Sequence, residues 1–227
     1  MRISLLFSLF LLFGSSLLFL NCHMKDLSNI NVLSLGDSYT IGESVQENDR
    51  WSVQLARLLR SRSTDVNNPT IIARTGWTTA ELNEAIIASG NKQQYDLVSL
   101  MIGVNNQYRG QPIDRYRTEF RQLVQVAVHY ARNQPSHVVV LSIPDWGASP
   151  FAASRDRATI AKQIDEFNAV ASQVCAEAGV TFIDITPLTR QAAGDASQFA
   201  ADGLHYSGKQ MKKWAEKALP IVEKILN

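Results

Sequence analysis

Five short apolar runs, separated by stretches of helical spacing, constrain this chain more than any other feature. The runs are Asn31–Leu35, Thr70–Ala73, Tyr95–Ile102, His137–Ile143 and Val180–Ile185. Apolar residues at helical spacing fill Arg50–Arg60, Thr79–Ala88, Ile113–Ala131, Arg155–Ala178 and Gly208–Leu226. Runs that are apolar throughout, instead of alternating with polar residues, belong to strands covered on both faces, as in a parallel sheet. Right-handed crossovers then place helices on both sides. The expected fold is α/β, a three-layer α/β/α sandwich around a mostly parallel sheet of about five strands. No internal repeat and no linker rich in proline, glycine or serine divides the chain, so residues 30–227 are expected to form one domain.

Open parallel sheets bind ligands beyond the carboxyl ends of their strands. Ser38 follows the first run, Gly76 the second and Asn105 the third, while Asp202 and His205 come from the loop after the fifth. All five belong on one rim. A serine hydroxyl is a poor nucleophile until a base takes its proton, and a neutral imidazole suits that role near neutral pH. Asp202 stands three residues before His205 in a glycine-containing turn. Its carboxylate can fold back to the imidazole Nδ1–H and leave Nε2 for the serine proton. At Gly76 the missing Cβ lets the backbone approach closely and exposes an N–H, and Asn105 supplies an uncharged NH₂ donor. With the backbone N–H of Ser38, these donors suit a developing oxyanion. Each residue alone has a plainer reading: a cap or turn for Ser38, a tight turn for Gly76, an Asx cap for Asn105, a solvated loop residue for His205.

The four stretches that carry them are GDSYT, RTGWTT, GVNNQ and DGLHYS, in that order. Together they resemble the SGNH (GDSL-type) hydrolases, over about residues 31 to 210. The resemblance implies a flavodoxin-like sandwich and a triad of Ser38, His205 and Asp202. It also implies an oxyanion hole of Ser38, Gly76 and Asn105, and hydrolysis of carboxylic acyl esters through an acyl-enzyme with no metal or organic cofactor. Hydrolases of this kind act on short acyl esters, acetylated sugars, lysophospholipids and thioesters, so the expected partner is a small-molecule, glycan or lipid acyl ester. Asn106 stands where the family usually has aspartate. That near-isosteric change is expected to adjust loop hydrogen bonding and leave the chemistry in place.

Other readings weigh against this one. The nucleophile elbow G-x-S-x-G of α/β-hydrolases is absent, because Thr40 occupies the position two after Ser38. Neither G-x-G-x-x-G nor the P-loop pattern follows the first run. A non-catalytic surface lipoprotein using the same fold as a binding scaffold, or an acyltransferase using the same site, stays open. Asp37 reads as a loop-fixing residue, since it points away from its neighbour at the strand end. His23, His129 and His137 read as surface or packing residues. The loop SIPDWGASPF, residues 142–151, reads equally as a pocket wall or as a rigid connection, and Trp77 is similarly ambiguous. The C-terminal stretch reads as a helix docked on the sheet with a solvated lysine face.

The first stretch, MRISLLFSLFLLFGSSLLFLNC, has one basic residue followed by about 18 uncharged, mostly apolar ones, which marks an export signal over residues 1–22. Its end resembles the lipobox of bacterial lipoproteins, whose cysteine is acylated, here Cys22, although Asn21 stands where a small residue is usual. The implied location is the cell envelope, lipid-anchored to a bacterial membrane, with simple secretion or an uncleaved anchor as alternatives. Residues 23–29 would be a short linker. Cys175 then has no intrachain partner and reads as a buried thiol. Two cysteines and scattered histidines make no zinc site. A net charge of +1 gives no electrostatic reason to expect nucleic acid.

Overall fold

The computed structural model describes residues 29–226. The export signal, Cys22, His23 and all of the linker but Asn29 lie outside the described residues. Five strands form one sheet: β1 Val32–Gly36, β2 Thr70–Ala73, β3 Leu97–Met101, β4 Val138–Leu141 and β5 Thr181–Ile183. Their spatial order is β2-β1-β3-β4-β5 and every pairing is parallel, as the expected fold requires. The helices are α1 Ser38–Ile41, α2 Trp51–Ser61, α3 Thr79–Ser89, α4 Val104–Tyr108, α5 Ile113–Tyr130, α6 Arg157–Ala178, α7 Thr186–Arg190 and α8 Gly208–Leu226. Each expected strand and long helix is present, with ends that match or are shifted by one or two residues.

The layering follows from chain direction. The chain steps from β1 outward to β2, then returns past β1 to β3 and continues to β5. Right-handed crossovers therefore put α2 on one face and α3, α5 and α6 on the other. α8 packs on α2, and α5 packs on both α3 and α6. β1, β3 and β4 are buried along their whole length, which explains runs that are apolar except at Ser34 and Ser99, whose hydroxyls bond each other across the β1–β3 pair at 2.9 Å. α8 buries Met211, Trp214, Ala215, Ala218, Leu219 and Val222, spaced three or four apart, and turns Lys209 and Lys212 to solvent. Trp51 and Trp214 are fully buried between the layers.

The winding reverses between β1 and β3, and the crevice at their carboxyl ends is where such a sheet receives a ligand. Gly36 closes β1 there. A Cβ at this position would lie 2.2 Å from Thr40 Oγ1 and 2.5 Å from the Met101 carbonyl oxygen, so only glycine lets the chain turn this tightly into α1.

Candidate active site

Ser38 is the first residue of α1, directly beyond β1. Its N–H is among the helix's first, which have no intrahelical acceptor. Asp37 caps the turn, its Oδ1 accepting from Tyr39 N–H at 3.0 Å. This agrees with the loop-fixing role, but Asp37 is also fully buried, and its Oδ2 has no hydrogen-bond partner among the described residues. Burial, opposed by the Tyr39 N–H, pushes its carboxyl up to about 7.

Gly76 lies in the turn after β2, where Trp77 N–H donates to Arg74 O at 3.3 Å. The third residue of that turn has φ of +87°, a conformation open to glycine and strained for other residues. Asn105 is on the first turn of α4, just beyond β3. Its Nδ2 donates to Trp77 O at 3.0 Å, which leaves a second hydrogen on the same nitrogen. The neighbouring Asn106 is fully buried. It accepts from Thr79 N–H at 3.1 Å and donates to Thr79 Oγ1 at 2.7 Å and to Gln111 Oε1 at 2.9 Å. Its amide thus acts as both donor and acceptor between the α3 and α4 loops, as loop hydrogen bonding requires.

Asp202 and His205 sit in a loop closed by an antiparallel bridge between Phe199 and Tyr206. Asp202 Oδ1 accepts the N–H groups of Leu204 and His205, each at 2.9 Å, and its Oδ2 lies 2.7 Å from His205 Nδ1. The Ser44 hydroxyl also donates to Oδ2, at 2.7 Å. Burial opposes ionisation of Asp202, but the bonds from His205, Ser44 and the two backbone N–H groups outweigh it and hold the carboxyl well below the usual range. An ionised carboxylate only accepts, so the Nδ1 facing it carries the proton and Nε2 of a neutral ring is free. Tyr39 presents its ring to the buried imidazole at 5.5 Å between centroids, edge to face.

One cavity of about 180 Å³ joins these groups, lined by Ser38, Gly76, Asn105 and His205 among others. Asp202 stands behind His205 and does not line it. Val104, Tyr108, Trp146, Leu204 and Tyr39 supply the apolar walls. Trp146 comes from the loop after β4, so that loop is a wall as well as a connection. Its Nε1 donates to Gln107 Oε1 at 2.8 Å, and Gln107 is held in turn by Gln163. Trp77 contributes its carbonyl and packs against the core, but its side chain does not line the cavity.

The remaining candidates stay apart. His129 is exposed on α5, and His137 Nδ1 bonds Asp96 O at 2.8 Å. Cys175 is buried and free. Among the described residues no cluster of histidine, cysteine or carboxylate side chains is arranged to hold a metal. Sequence reasoning missed Ser44 and Arg109, which contact the Asp202 carboxylate and the Gly76 carbonyl. Neither lies in a motif that could have marked it.

Solved structures share the fold. An esterase, EstA, from Pseudoalteromonas sp., in a structure inhibited by monoethylphosphonate, is 16% identical with a TM-score of 0.66, covering 88% of this chain and 100% of its own. A lipase/acylhydrolase from Enterococcus faecalis is 19% identical with a TM-score of 0.63, covering 87% and 97%. An acetylxylan esterase from Geobacillus stearothermophilus is 18% identical with a TM-score of 0.65, covering 86% and 94%. No sequence match was found among curated proteins. The model of the GDSL-like lipase/acylhydrolase family matches residues 34–213, from within β1 into α8, and the chain belongs to that family.

Proposed function

We propose that this hydrolase is a serine esterase of carboxylic acyl esters, with Ser38 as nucleophile, His205 as general base and acid, and Asp202 as the orienting carboxylate. The observation that carries this reading is the 2.7 Å contact between His205 Nδ1 and Asp202, beside a cavity that Ser38 shares with the same imidazole. In the proposed reaction Ser38 Oγ attacks the ester carbonyl while its proton passes to His205 Nε2. The oxyanion accepts from the N–H groups of Ser38 and Gly76 and from the remaining Asn105 Nδ2 hydrogen. His205 then returns its proton to the departing alcohol, leaving an acyl-enzyme. Water, deprotonated by His205, releases the acid and restores Ser38.

The walls favour a short, apolar acyl group. No charged side chain lines the cavity, apart from the histidine when protonated. At about 180 Å³ the cavity is smaller than the roughly 300–1,000 Å³ common for pockets that take drug-sized ligands. A fluorophosphonate probe should label wild-type protein at Ser38 and fail on Ser38→Ala, and turnover of p-nitrophenyl esters should decline beyond short chains. Absence of labelling in folded wild-type protein would point instead to a binding scaffold.

Export and acylation at Cys22 complete the proposal, supported by the N-terminal sequence. Mass spectrometry of the mature N-terminus from a bacterial host reads both, and an unmodified Cys22 would refute the anchor.

A further inference from the structure

Two successive carbonyls of the Gly76–Trp77 loop are held by two residues of one helical turn. Asn105 Nδ2 donates to Trp77 O at 3.0 Å, and Arg109 Nη2 donates to Gly76 O at 2.5 Å. Arg109 N–H donates to Asn105 O at 3.0 Å, which locks the two side chains to a common frame. The guanidinium also meets the Glu81 carboxylate through Nη1 at 3.2–3.3 Å. Glu81 is itself the reciprocal partner of Thr78 in the capping box that starts α3. One planar side chain therefore joins the Gly76 turn, the start of α3 and the end of α4.

We propose that Arg109 is a positioning residue for the oxyanion hole, fixing the Gly76–Trp77 peptide and so limiting rotation at Gly76, so that the N–H of the preceding peptide and the Asn105 amide converge on one point. This rests on the esterase reading above. The physical reason is the freedom of glycine. At φ of +87° with no side chain, Gly76 has no packing of its own to resist rotation of its peptides. Among the described residues no protein group accepts the Gly76 N–H, so its direction depends on how the following peptide is held, by Arg109 at the Gly76 carbonyl and by the 3.3 Å turn bond from Trp77 N–H to Arg74 O. Oxyanion donors act by being aimed before the charge develops, and small misplacements are costly. A packing role is a poor alternative, because the side chains of Arg109 and Glu81 are 45% and 40% exposed. Lysine, a point donor, cannot span Gly76 O and Glu81 as the guanidinium fork does.

The test uses full-length protein and p-nitrophenyl butyrate. Arg109→Ala should lower kcat about 10- to 100-fold, short of the 10²–10³ typical of a missing donor, with KM within about twofold. Arg109→Lys should fall between Arg109→Ala and wild type. Free guanidinium at millimolar concentration should raise kcat of Arg109→Ala and leave Asn105→Ala unchanged. A wild-type kcat in Arg109→Ala overturns the proposal. So does a loss that guanidinium fails to rescue and that follows a lowered melting temperature, since that is the mark of general destabilisation. Wild-type protein inert to both the ester and a fluorophosphonate would overturn the esterase reading and this proposal together. An active wild type matched by Arg109→Ala overturns this proposal alone.

Discussion

Replacing Asp37 by asparagine should make the protein more stable above neutral pH, and the size of the gain can be worked from the site. Asp37 is fully buried, one oxygen capping Tyr39 N–H and the other without a partner among the described residues. Burial raises its carboxyl from an ordinary value near 3.8 to about 7. Between those values the folded state keeps a proton that the unfolded chain has released, so stability falls as pH rises through this window. The full contribution is present below about pH 3.8 and is lost once pH passes about 7. A displacement of about three pH units, at about 1.36 kcal/mol each, amounts to roughly 4 kcal/mol. The amide of Asp37→Asn would keep the oxygen that accepts from Tyr39 and leave one NH₂ unpaired, much as protonated Asp37 leaves its O–H. The variant should therefore match wild type near pH 4 and exceed it by up to roughly 4 kcal/mol at pH 8. Urea unfolding followed by tryptophan fluorescence at intervals between these pH values reads the difference directly, and other titrating groups cancel in the comparison. Parallel stability curves for the two proteins would refute a buried, proton-bearing Asp37.

Three further outcomes are expected. Asp202→Asn can turn its NH₂ toward His205 Nδ1 and enforce the wrong tautomer, so kcat on a short ester should fall by up to roughly 10⁴. A loss of less than tenfold would remove Asp202 from its orienting role. Ser44→Ala and Ser44→Gly should each lower kcat roughly fivefold, the equivalent of one lost hydrogen bond of about 1 kcal/mol to the Asp202 carboxylate. Ser44 has φ of +63°, so glycine should melt higher than alanine while sharing its kinetic defect; wild-type turnover in either variant defeats the assignment. Burial pushes the Cys175 thiol up to about 12, so in a Cys22→Ser background native protein at pH 8 should resist a thiol reagent that labels it in urea. Labelling of native protein at the unfolded rate would contradict that burial.

The long elements were legible because they obey periodicity. β1, β3 and β4 are buried on both faces and apolar except at Ser34 and Ser99, and α2, α5 and α8 repeat their buried residues every three or four positions. Helices α1, α4 and α7, of four or five residues each, are too short to show a period. For that reason the helical turn that carries Asn105 is not among the expected elements. The order of the strand-end motifs foretold which residues share the rim. It could not foretell Ser44 or Arg109, a lone serine and a lone arginine whose partners lie 158 and 33 positions away.

By itself, then, the sequence determined an α/β sheet, a crevice at the carboxyl ends of β1 and β3, and a place beside it for Ser38, Gly76, Asn105 and His205. Pattern and strand direction suffice for that, because every helix and strand must bury its apolar face. Tertiary structure alone decided how each group is aimed: which oxygen of Asp202 meets the imidazole, which carbonyl Arg109 holds, and how much space Trp146 and Tyr108 leave. Such choices depend on differences of a few tenths of an ångström in the spacing of remote segments, and no local pattern of residues encodes them.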